Sequence, residues 1–137
     1  MEGITPESTH AVQEEAIATC VQEFYRKARE DSLLGPIFNA KVDDWDVHLR
    51  VVANFWSRAL LGTDRYNGSP FVVHMNLPVE LAHFSRWLAL FEETARETLP
   101  PELAGKALAK ANHMAESFKA GIFPFVGSDG KPARHPG

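Results

Sequence analysis

The 9 glycines and 9 prolines of this 137-residue chain are spread so unevenly that they set its fold class. Stretches 7–34, 37–61, 79–99 and 106–120 contain neither residue. Both disfavour helix interiors, glycine through backbone entropy and proline through its missing N–H and the clash of its ring. Four long stretches without them predict four long helices. A sandwich or barrel of short strands would need turn residues roughly every 8–12 positions. The expected class is all-α, in a single domain over residues 1–126. The polar, breaker-rich tail 127–137 is expected to be disordered.

The first helix opens on Thr5-Pro6-Glu7, an N-cap, a proline at the first helical position and an acidic first turn. Ile17, Val21, Phe24 and Ala28 follow at helical spacing, flanked by Cys20 and Tyr25, and Gly35-Pro36 ends the run. A short apolar stretch, Pro36-Ile37-Phe38, leads to Asp43-Asp44, which would cap a second helix over about 44–61. That helix is apolar on two adjoining faces. Trp45, Leu49, Val52, Trp56 and Leu60 form one stripe, and His48, Val52, Phe55 and Ala59 form another. A surface helix needs a single stripe; a second implies that this one packs against a neighbour and also against something else.

Residues 62–78 carry Gly62, Gly68, Pro70 and Pro78 with no sustained periodicity, and predict a long connection with at most one helical turn around 71–76. A connection this long inside a compact domain points to function. The third helix, 79–99, places Phe84, Trp87, Leu88, Phe91 and Ala95 on one face. Pro100-Pro101 stops it and starts the fourth, where Leu103, Ala107, Ala111, Met114, Phe118 and Ile122 repeat at three and four.

Several function classes are excluded early. A formal net charge of −4 and a pI near 5.8 leave no basic footprint for nucleic acid. One cysteine, Cys20, allows no intrachain disulfide and no zinc site built on paired cysteines. The polar N-terminus shows no apolar signal region and nothing approaches a membrane span, so a cytoplasmic protein with no membrane partner is expected.

No glycine-rich phosphate loop, GxSxG or HExxH motif is present, which leaves the six histidines as the obvious chemistry. His10, His113 and His135 read as surface or tail residues. His48 lies on an apolar stripe, where a half-buried histidine satisfied by a neighbour is the simpler reading. His74 sits in FVVHMNLP, where the simpler reading is a loop histidine tucked under the core. Glu7/His10 and Glu80/His83 are both Glu-x-x-His, as a di-iron helical bundle requires. Both fall at helix starts without inward carboxylate partners, so acids complementing the helix dipole explain them better. The aromatic residues point elsewhere. Phe24, Tyr25, Phe38, Phe55, Trp56, Phe84, Trp87 and Phe91 come from four segments, and Tyr25 and Trp87 bring polar handles that need partners when buried. A large, flat, apolar ligand with a polar centre would use them together.

The segments FYRKAREDSLLGPIFN, WDVHLRVVANFW, LLGTDRYNGSPFVVHMNLP and HFSRWLALFEET, in this order, resemble the truncated haemoglobins, specifically the third group of bacterial 2-on-2 globins. The resemblance runs from about residue 14 to 122. It implies a 2-on-2 helical sandwich around one haem b. His74 matches the proximal iron ligand, with the sixth position left open. Tyr25 matches the distal tyrosine, His48 the distal-helix histidine, Trp87 the pocket tryptophan and Phe38 the phenylalanine that wedges the porphyrin. Phe24, Val52, Phe55, Phe84, Phe91 and Met114 complete the implied apolar box. Arg50, Arg58, Tyr66 and Arg86 are candidates for the haem propionates. The implied role is binding of dioxygen and related diatomic gases. The alternative is a redox enzyme, oxidising nitric oxide or using peroxide with a separate reductase as partner, since this chain has no flavin or nicotinamide domain.

Overall fold

The computed structural model describes residues 6–66, 68 and 78–134, with 6–9 described by their backbone alone. In chain order these form helices α1 (Pro6–Glu30), α2 (Gly35–Lys41), α3 (Trp45–Leu61), α4 (Leu81–Thr98) and α5 (Pro101–Ile122), then a hairpin of β1 (Phe125–Val126) and β2 (Pro132–Ala133). The four long helices stand where the breaker-free stretches predict them.

Their ends follow local chemistry. Asp44, in an extended conformation, accepts the Val47 N–H at 3.2 Å and starts α3. Gly62 closes that helix at φ 72°, a left-handed geometry that glycine adopts without strain. At the start of α4, His83 Nδ1 accepts the Glu80 N–H at 2.8 Å. Leu99 is extended ahead of Pro100-Pro101, and Pro101 supplies the first residue of α5, where its missing N–H has no consequence.

Helix α1 packs against α3 and α4, α4 against α5, and α3 against α5. The pairs α1/α3 and α4/α5 make a two-on-two helical sandwich, the expected architecture. Ala28, Ala95, Ala107 and Ala111 have no exposed surface, and their single methyl groups let helices approach closely. Thr94 is equally buried, and its hydroxyl donates to the Leu90 carbonyl at 2.8 Å, so no polar group is stranded. At the centre, Phe91 lies between two indoles, stacked on Trp56 at 5.0 Å and on Trp87 at 5.6 Å. Phe24 meets Phe91 edge-on at 5.9 Å.

Two segments depart from expectation. The apolar stretch after Gly35 is itself a helix, α2, because Asp31 organises the corner before it: its carboxylate accepts the Leu33 and Leu34 N–H groups at 3.1 and 3.0 Å. The tail, expected to be disordered from residue 127, forms a hairpin as far as 134. Phe125 pairs with Ala133 and Val126 with Pro132. Gly127 N–H reaches the Lys131 carbonyl at 2.7 Å, and Gly130 takes φ 80° at the turn. Arg134 then donates to the Val79 carbonyl and lies over the Phe123 ring, which fastens the hairpin to the domain.

Candidate functional site

The second apolar face of α3 borders a cavity of about 520 Å³. Tyr25 reaches it from α1, Ile37, Phe38 and Lys41 from α2, and Val47, His48, Val51, Val52, Phe55 and Trp56 from α3, with Tyr66 beyond and Met114 from α5. A smaller cavity of about 80 Å³ shares Tyr25, Ile37 and Phe38 with it and adds Val79, His83, Phe84, Trp87 and Phe118 among its walls. Tyr25 and Phe38 therefore stand at the divide between the two.

Tyr25 is held from several sides. Its ring meets Phe24 at 5.1 Å, Phe38 at 5.2 Å and His48 at 5.0 Å, all edge-to-face, and Trp45 at 5.5 Å. Burial pushes the Tyr25 phenol above its ordinary value, so the hydroxyl keeps its proton and remains a donor. His48 is half-buried on the same wall. Trp87 is fixed by its stack on Phe91 and by the edge of Phe24 at 6.2 Å.

The residues singled out from sequence thus separate into three sets. Tyr25, Phe38, His48, Val52, Phe55 and Met114 line the larger cavity, and Phe84 and Trp87 line the smaller one. Phe24 and Phe91 line neither of these; both are buried in the core and support Tyr25 and Trp87 from behind. His74 lies outside the described residues. Among the arginines considered for propionates, Arg86 is paired with Asp31, its Nε 2.7 Å from the carboxylate. Tyr66 does line the larger cavity, its ring 5.3 Å from Phe55.

Other lining residues carried no sequence signal. Lys41 is the cationic group among the described residues of the larger wall. Val47 and Val51 lie off both apolar stripes of α3. Each is 46% exposed, so the wall presents apolar surface that a bound apolar body would cover. Trp45, legible in the sequence only as a member of a stripe, touches both Tyr25 and His48. The Glu80/His83 pair serves as a helix cap rather than a metal ligand set, and among the described residues no three His, Cys, Asp or Glu side chains gather as a metal site does. Aromatic and branched walls, a protonated phenol and an imidazole suit haem, a flat apolar macrocycle; at the polar rim Lys41 and Tyr66 could meet its carboxylates, beside the acids Asp43 and Asp44.

Known proteins share this fold. The family model for bacterial-like globins matches residues 12–120. A group 3 truncated hemoglobin of Campylobacter jejuni is 35% identical over 121 residues, which cover 85% of this chain and 95% of that protein. The crystal structure of a group III truncated hemoglobin from Campylobacter jejuni superposes with a TM-score of 0.71 at 38% identity, covering 77% of this chain and 87% of that one. Among the described residues no helix is long and apolar enough to cross a membrane. The chain belongs to the bacterial-like globin family, as a truncated haemoglobin of the third group.

Proposed function

We propose that this globin binds dioxygen and related diatomic gases, nitric oxide and carbon monoxide, at a five-coordinate haem b. His74 is its proximal ligand, and Tyr25, His48 and Trp87 form the distal side. Globins hold haem, and haem supplies an iron with a coordination position open to a small gas. The observation that carries the reading is the placing of Tyr25 and His48 together on the wall of the larger cavity, with their rings 5.0 Å apart.

The chain's own groups then act on the ligand. The Tyr25 hydroxyl stays protonated and donates a hydrogen bond to any atom that gathers negative charge beside it. The Trp87 indole N–H is a second donor, in a plane set by Phe91. Each such bond contributes about 1–3 kcal/mol in a site with little water. Two donors slow ligand release by about tenfold for every 1.4 kcal/mol gained in the bound state alone. That favours tight holding over rapid delivery. Phe38, Phe55 and Val52 on the cavity wall exclude water and preserve the strength of those bonds.

An absorption spectrum of the purified protein tests the cofactor, and its loss in His74→Ala tests the ligand. A colourless wild-type protein, or a variant that keeps an unchanged spectrum, overturns the corresponding part. Oxygen off-rates in Tyr25→Phe and Trp87→Phe test the donors, with unchanged rates removing them.

The contact of His48 with Tyr25 favours one second reading, a redox enzyme working on nitric oxide or peroxide. An imidazole beside a phenol can give and take protons during such chemistry. A separate reductase would have to restore the iron. Multiple turnovers with an added reductase support the enzyme, and a single stoichiometric oxidation supports the binder.

A further inference from the structure

Trp45 is the first residue of α3 and stands behind the wall of the larger cavity, lining neither chamber. Its indole meets Tyr25 with centroids 5.5 Å apart at 59°, and His48 with centroids 5.5 Å apart at 81°. Tyr25 and His48 also meet each other, at 5.0 Å and 84°. The three rings close a triangle in which each touches the other two. The guanidinium carbon of Arg29, on the last turn of α1, lies 4.2 Å from the centroid of the Trp45 ring. A cation over an indole face is the strongest form of this contact.

These contacts have a consequence for donation into the cavity. A hydrogen bond weakens steeply once the donor angle departs from linearity. A phenol or imidazole at a wall has rotational freedom about its side-chain bonds unless neighbouring rings remove it. Phe24 and Phe38 restrain Tyr25 on its own helix and on α2, whereas Trp45 is the aromatic neighbour that restrains Tyr25 and His48 together. Arg29 belongs to the same helix as Tyr25, and Trp45 to the same helix as His48, so their contact also fixes the two helices at the level of the cavity.

We infer that Trp45, held beneath the Arg29 guanidinium, is a positioning residue that keeps Tyr25 and His48 in a single orientation toward the larger cavity. The inference rests on the distal roles proposed above for those two residues.

The infrared C–O stretch of the ferrous, carbon monoxide-bound protein tests it, because that band responds to donors around the ligand and shows one component per donor arrangement. One dominant band is expected in the wild type. Trp45→Leu splits it and speeds ligand release about tenfold, while Trp45→Phe, which keeps a ring, restores the single band. Arg29→Gln adds a minor component and speeds release about threefold. A Trp45→Leu protein with a lowered thermal midpoint but an unchanged band overturns the inference, since that is the behaviour of mere packing. If Trp45→Leu fails to fold, the exposed Arg29→Gln change decides, and an unaltered band pattern there overturns it. Tyr25→Phe separates the two layers. If it shifts the band while the Trp45 and Arg29 variants do not, positioning fails and the distal reading stands. If it leaves the band in place, both fail.

Discussion

The Asp31 carboxylate accepts Arg86 Nε at 2.7 Å across the sandwich, joining the corner between α1 and α2 to the residue before Trp87. The same carboxylate accepts the Leu33 and Leu34 N–H groups, so one buried side chain sets both the start of α2, which carries Phe38, and the seat of α4, which carries Trp87. Burial alone would raise its pKa. The Leu34 N–H, Arg86 and the Leu33 N–H outweigh that and hold it below the ordinary value of 3.8.

A carboxyl whose folded-state pKa is depressed contributes stability above its unfolded value and loses it as pH falls through the folded one. Asp31→Ala is therefore expected to lower stability at neutral pH by about 1–2 kcal/mol. Its deficit should shrink as pH drops below 3.8. Denaturant midpoints of both proteins from neutral to acid pH check this, and parallel curves would contradict it.

Two glycines should respond in opposite senses. A Cβ on Gly35 would stand 2.6 Å from the Arg29 carbonyl oxygen, a backbone atom that cannot move aside without opening the corner. Gly35→Ala is expected to cost about 1–3 kcal/mol. Gly105, inside α5, has nothing within 4 Å of the same position, and Gly105→Ala is expected to stabilise by about 0.5–1 kcal/mol. Thermal midpoints of the pair check both signs.

Sequence made the long helices legible because spacing reports periodicity directly, and Asp44 and Gly62 announced the ends of α3. It could not tell a cavity wall from a core neighbour. Phe24, Phe91 and Trp87 all lie on apolar stripes, but only the packing shows that Trp87 borders a cavity while Phe91 stacks behind it and Phe24 meets it edge-on. The open side of the wall comes from Val47 and Val51, which lie off both stripes that the sequence shows on α3. Arg86 was a reasonable carboxylate partner from its type alone, yet the carboxylate it meets belongs to Asp31, 55 positions earlier in the chain. The strands Phe125–Val126 and Pro132–Ala133 are too short to show alternation, so the hairpin had no sequence signal beyond its glycines.

Tyr25 gives an alkaline signature. Its pKa is raised by burial, so the contribution of the neutral phenol is complete below the ordinary value of 10.0 and is lost as pH climbs toward the folded value. Above pH 10 the wild type should therefore lose stability faster than Tyr25→Phe, which has no proton to release. Unfolding midpoints between pH 8 and 11 check this, with the difference between the two proteins removing the effect of other groups. Curves that stay parallel through that range would show that the phenol ionises as freely as in water.

The hairpin lies beyond the residues matched by the globin family, 12–120; β2 packs against α5, and Arg134 adds a clasp. Its guanidinium donates to the Val79 carbonyl and lies 5.0 Å from the Phe123 centroid, so one side chain fastens the hairpin to the segment entering α4. Val79 in turn lines the smaller cavity with Trp87. Arg134→Ala is expected to lower stability by about 1 kcal/mol. It should also speed hydrogen exchange at Gly127, whose N–H closes the hairpin on Lys131, while the Phe123 N–H, bonded to Lys119 at the end of α5, keeps its protection. Because Val79 loses its restraint, ligand kinetics should change as well, by less than in Trp87→Phe. Equal exchange rates at Gly127 in the two proteins would show that the strand pairing holds the hairpin without the clasp.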